Sequence, residues 1–191
     1  MIGETLETLC KEIQHYFVTL PELHVGTEEA IVLSNIFNGE GKFAVSEGLS
    51  LSIINIEEER VVKSQQSAFK MPNGNVVHMN PEIKLNLYFI IAANFENYKT
   101  GLQFLSAAVR FFQARNVFTR QNTPNLPEEV EKLIVEFFSI NFEQQNHLWS
   151  VLGAKYLPSV VYRARLLTIQ EGLVRDNQPA FSQLEIPEIS L

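Results

Sequence analysis

The segment "PEIKLNLYFIIAA", residues 81–93, constrains the fold more than any other. Ile83, Leu85, Leu87, Phe89 and Ile91 alternate along it, and residues two apart on a strand share one face. The second face turns apolar only towards the end, at Tyr88 and Ile90. A strand with that pattern runs from an exposed rim into the centre of a sheet, so its neighbours must cover it on both sides at one end.

The flanking sequence supplies such neighbours. Ile2, Leu6, Leu9, Ile13, Phe17 and Leu20 recur at helical spacing, predicting a helix over 2–20 that Pro21 ends. "EEAIVLSNIF", 28–37, reads as a strand, and "NGEGKF" as a turn. Residues 48–63 alternate Leu49, Leu51 and Ile53 against Ser50 and Ser52, the pattern of a half-buried strand with a charged far end. The polar stretch 64–80, with "MPNGN" as its turn, predicts a projecting loop or two-stranded arm.

A second helix is expected over about 97–115, capped by Asn97. It carries two apolar stripes: Tyr98, Leu102, Leu105, Val109 and Phe112 on one, Phe104, Ala108 and Phe111 on the other. Such a helix is sandwiched, either between sheet and first helix or between subunits. Residues 120–129 form a loop, and 132–142 favour a strand. "EQQNHLWSVLG" reads as a short helix with Leu148, Trp149 and Leu152 inward, stopped by Gly153. "SVVYRARLLTI" after Pro158 is the last strand.

The fold class is α/β in the broad α+β sense. A single mixed, largely antiparallel sheet of four to five strands is flanked by two long helices and one short one. Strands that follow one another without a helix between them are expected to pair antiparallel. Residues 1–170 make one domain, and 171–191 an extended tail with apolar anchors.

Composition narrows the chemistry. The net charge of −7 argues against general affinity for nucleic acid or anionic membranes. The single cysteine, Cys10, excludes an intramolecular disulfide and a cysteine-based zinc site, and is expected on the buried side of the first helix. The N-terminal segment lacks the basic and apolar regions of a secretory signal, which predicts cytoplasmic synthesis. No apolar run approaches the roughly 20 residues that span a bilayer. The histidines at 15, 24, 78 and 147 form no ligand pair, and no nucleophile elbow or phosphate-binding loop occurs. No cofactor, metal or catalytic residue is expected.

Two charge features remain. "EEER" places Glu57, Glu58 and Glu59 together near the end of a strand. Two of these carboxylates would share a strand face, which could in principle hold a divalent cation, but a solvated strand end or a patch for a partner is the better reading. In "LWSVLGAKYLPSVVYRARLL", residues 148–167, Val160, Tyr162, Ala164 and Leu166 point one way, while Val161, Arg163, Arg165 and Leu167 point the other. Two guanidiniums on one strand face suit carboxylates across an interface. Glu57, Glu58, Glu59, Arg163 and Arg165 are therefore the candidate subunit interface.

Three blocks in order, "SLSIINIEEER", "PEIKLNLYFIIAANFENYKTGLQFLSAAVRFFQARNVF" and the stretch 148–167, resemble the tail-terminator, or cap, proteins of phage-tail-like contractile injection systems. The resemblance covers about residues 5–170 and includes Asn97 and Tyr98 at the start of the second helix. It implies a ring, usually a hexamer, that ends the inner tube and contacts the last sheath layer, with tube and sheath proteins as partners. A closed ring needs two complementary patches on each chain. The competing readings are an adaptor or chaperone-like binding module for sheath, tube or cargo proteins, and an enzyme with an unfamiliar site.

Overall fold

The computed structural model describes residues 1–25, 29–38, 40–59, 68–70, 76–78, 83–169 and 176–178. Strand β1 (Ile31–Leu33), β2 (Gly48–Glu58), β5 (Ile83–Asn94), β6 (Val117–Thr119), β7 (Lys132–Phe137) and β8 (Ser159–Ile169) form one sheet in the order β1-β2-β5-β8-β7-β6. The helices are α1 (Ile2–Val18), α2 (Tyr98–Ala114) and α3 (Phe142–Leu152). Short strands β3 (Ala68–Lys70), β4 (Val76–His78) and β9 (Asp176–Gln178) make a second, three-stranded antiparallel sheet. The expected arm is thus seen as the hairpin β3–β4, and β9 is the described part of the expected tail. The rest of both lies outside the described residues.

Strand β5 sits near the centre, as its pattern predicts. Leu87, Phe89 and Ile91 are fully buried on one face, where α1 and α2 cover the sheet. Leu6, Leu9, Ile13 and Phe17 supply the α1 side of that core, and Cys10 is buried with them. Phe17 meets Phe104 edge-on at 5.4 Å between ring centroids, and Phe112 lies 4.6 Å from Tyr162. Ile90 and Ala92 are buried on the opposite face with Trp149 of α3, Val161 and Ile36. Helix α3 starts on a capping box between Asn141 and Gln144 and ends at Gly153, whose φ of 65° is the left-handed conformation glycine allows.

Four sequence expectations change. Strand β1 is only three residues long and pairs with β2 in parallel, Ile31 opposite Leu49. The connection 34–47 is long enough to carry the chain back to the same end, which a tight turn is not. Its return is fixed where Leu49 N–H donates to Ala30 O, beside Gly48 at φ 145°. A Cβ on Gly48 would lie 3.3 Å from that carbonyl oxygen. Ser50 and Ser52, expected on a solvated face, are buried because α3 and the 34–47 connection cover that end of β2. On α2 the buried stripe runs through Phe104, Leu105, Ala108, Phe111 and Phe112, while Tyr98 and Leu102 are exposed. The sheet also gains β6, a three-residue edge strand too short to show a period.

Arg115 ties the helical layer to this edge. Its Nη1 donates to Glu12 of α1 at 2.7 Å, and its Nη2 to Asn122 O at 2.6 Å and to Thr123 Oγ1. The guanidinium also lies over the Phe118 ring, 4.8 Å from its centroid. Tyr162 presents the opposite case. Burial pushes its phenol up to about 12, and its hydroxyl has no partner among the described residues.

Arg115→Ala should cost about 2 kcal/mol, the usual worth of charge-assisted hydrogen bonds in a partly buried site, and a double-mutant cycle with Glu12→Gln in urea should show coupling. Tyr162→Phe should raise stability by about 1 kcal/mol, because it removes a buried polar group with nothing to bond. Equilibrium denaturation measures both.

Candidate interaction surface

Helix α3 covers only one end of its sheet face. Past the cover the same face turns polar, because the residues of β2, β5, β8 and β7 that continue it are Asn55, Glu57, Tyr88, Asn86, Arg163, Arg165 and Glu136. Register places them in two rows across the strands. One row runs Asn55, Tyr88, Arg163, Glu136; the next runs Glu57, Asn86, Arg165, Ile134. Directly paired residues point to the same side, so each row is a line of neighbouring side chains.

Each row carries one carboxylate and one guanidinium, Glu136 with Arg163 in the first and Glu57 with Arg165 in the second. Glu136 accepts from Arg163 Nη2 at 2.7 Å and from Arg165 Nη2, bridging both arginines within the chain. Asn55 Nδ2 donates to Glu57 Oε1 at 2.9 Å, and Asn86 Nδ2 to Glu59 Oε2 at 3.0 Å. Glu58 pairs in register with Leu85 and so projects to the other side of the strand. The expectation of two separate patches, one acidic and one basic, meets a different geometry. Glu57 and Arg165 occupy one row of one face with a single residue between them, about 10 Å apart at the strand spacing. Sequence reasoning missed Glu136, which lies on another strand and is brought beside the arginines only by the β7–β8 pairing.

The electrostatics favour fixed charges. The hydrogen bond from Arg163 is the largest influence on Glu136 and holds its carboxyl below the usual range, with Arg165 adding to the effect against some desolvation. Arg163 is correspondingly held in its charged form, chiefly by Glu136 and less by Tyr88 beside it. A general acid or base works best with a pKa near the working pH, and Glu136 moves away from it. Cys10, in a groove of about 540 Å³ between α1 and β1, has its thiol pushed up to about 12 by burial, the reverse of an activated nucleophile. His15, His24 and His147 stand apart on the surface. Among the described residues no three metal-binding side chains converge, and no helix is long and apolar enough to cross a membrane.

The sheet is roofed on one face by two helices and on part of the other by a third, with a charge-paired strip beyond that third helix. Residues 4–183 match the family model of the Pvc16 N-terminal domain, and the chain belongs to that family. Two solved structures share the fold. One is the sheath/tube terminator of an extracellular contractile injection system (PVC) in its extended state: TM-score 0.66, 12% identity, covering 100% of this chain and 64% of that one. The other is the tube-terminating cap of the anti-feeding prophage (AFP): TM-score 0.62, 13% identity, covering 95% of this chain and 59% of that one. This chain therefore spans about three fifths of the length of either structure. No curated protein matches. The resemblance to contractile-particle caps read from the sequence holds, and the family match extends past residue 170 into the expected tail.

A carboxylate with a lowered folded pKa gives stability that is complete above its unfolded value, near 4.5, and is lost as the pH falls through the folded value. Glu136→Gln should therefore melt lower than the wild-type chain at pH 7 and lose less of its Tm between about pH 5 and pH 3. Thermal melts across that range test the sign.

Proposed function

We propose that this chain is a structural terminator subunit. Copies of it form a ring, a hexamer by the family resemblance, that ends the inner tube and sheath of a contractile injection particle. The ring stops polymerisation and joins the last sheath layer to the tube. Its partners are itself, the tube protein and the sheath protein, and it makes and breaks no bond. Assembly takes place in the cytoplasm, and the product belongs to a particle that is released or held at a membrane. The observation that carries this reading is the fold match over the whole chain to a sheath/tube terminator.

Within this reading Glu57, Glu59, Arg163 and Arg165 form a contact for a neighbouring subunit or layer, and Glu58, on the other side of β2, lies outside it. A face that carries both signs fixes the orientation of such a contact, because a partner turned the wrong way meets like charge. The partly exposed arginines are neutralised only in part, since two of them share one carboxylate.

Tube and sheath proteins expressed without this chain should give particles of broad, extended length in electron micrographs. Supplying the chain should restore a narrow length and place it at one end. Unchanged lengths, with the chain bound to unassembled tube, sheath or cargo proteins and missing from finished particles, would instead mark an adaptor or chaperone. Arg163→Gln with Arg165→Gln should keep the fold, read by circular dichroism, and lower the fraction of capped particles.

A further inference from the structure

Two aromatic side chains stand in water on opposite layers of the sheet. Tyr98, the first residue of α2, is 66% exposed on the layer shared with α1, and Phe142, the first residue of α3, is 90% exposed on the other. Neither contributes to the core, and each has an apolar companion. Leu102, one turn along α2 from Tyr98, is 39% exposed, so the two form a ridge on the helix surface. Phe137, 56% exposed, lies with Phe142 along a groove of about 360 Å³ where β7 runs into α3.

The two surfaces complement each other in chemistry. The groove is walled by Phe137, Ile140 and Phe142, holds the polar groups of Gln145 and Ser159, and has no charged side chain in its lining. A tyrosine suits such a space, since its ring wants apolar contact and its hydroxyl an uncharged partner. Each aromatic is followed by an exposed charge of opposite sign, Lys99 after Tyr98 and Glu143 after Phe142.

We propose that the Tyr98–Leu102 ridge of one copy seats in the Phe137–Phe142 groove of the next, with Lys99 facing Glu143. Ridge and groove are different surfaces, so each copy offers its ridge to one neighbour and its groove to another, and every open assembly keeps one free ridge and one free groove until a ring closes. The inference rests on the terminator reading and names its subunit contact, a surface separate from the charged strip.

Cysteine cross-linking on the chain assembled with its tube tests the contact. Replacing Cys10, the chain's single cysteine, by serine leaves only the introduced thiols to react. Tyr98→Cys with Phe142→Cys in one chain should give a ladder of dimer, trimer and larger species with a short bifunctional thiol reagent. A mixture of the two single variants should stop at dimers, and each single variant alone should stay monomeric. Dimers from a single variant would show a like-to-like contact and overturn the proposal. No cross-link in any sample, with a ring still visible at the tube end, would overturn it and leave the terminator reading standing; no ring and no cross-link would remove both. Phe142→Asp, at a site too exposed to disturb the fold, should weaken self-association about thirtyfold, the scale of a hot-spot aromatic, at an unchanged Tm. Unweakened association would count against the groove.

Discussion

Strands β5 and β8 are covered on both faces over part of their length and on one face over the rest, and the remainder of the molecule is arranged around that change. On the continuous side, Leu87, Phe89 and Ile91 of β5 and Tyr162 and Ala164 of β8 meet α1 and α2. On the other side, Ile90, Ala92 and Val161 meet Trp149, and the cover by α3 then ends. Fully burying a side chain of this size is worth roughly 1.5–3 kcal/mol. A dozen such side chains outweigh every ion pair described, so apolar burial sets the layer order and the charges are placed by it.

The ion pairs then act as registration devices. Arg115 joins α1, the end of α2 and the loop after β6 through groups that share one guanidinium. Arg163, Arg165 and Glu136 lock β7 to β8 where no helix covers them. Partly exposed pairs add little to stability, but their planar geometry resists sliding of one strand past another.

Much of this was legible in the residues. The alternation in 81–93 announced a central strand, the spacing in α1 placed Cys10 inward, and Asn97 and Gly153 marked helix ends that the structure keeps. The order of three sequence blocks pointed to the family. Less could be read where a short segment borrows its conformation from a distant one. Strand β6 exists because β7 offers an edge to it, and β1 runs parallel because the 34–47 connection folds back on itself. Ser50 and Ser52 looked solvated because small polar residues say nothing about an element that arrives from elsewhere in the chain to cover them.

The sequence by itself determined the long helices and strands, the inward faces of α1 and β5, and which side chains carry charge. Those properties depend on spacing along a few turns or pleats and need no distant partner. Tertiary structure decided that Glu57 and the arginine pair share one face, that Glu136 bridges the arginines, and that Tyr98 and Phe142 are left in water on opposite layers. Strand order fixes all three, and strand order is settled by which apolar surfaces find each other across the whole chain.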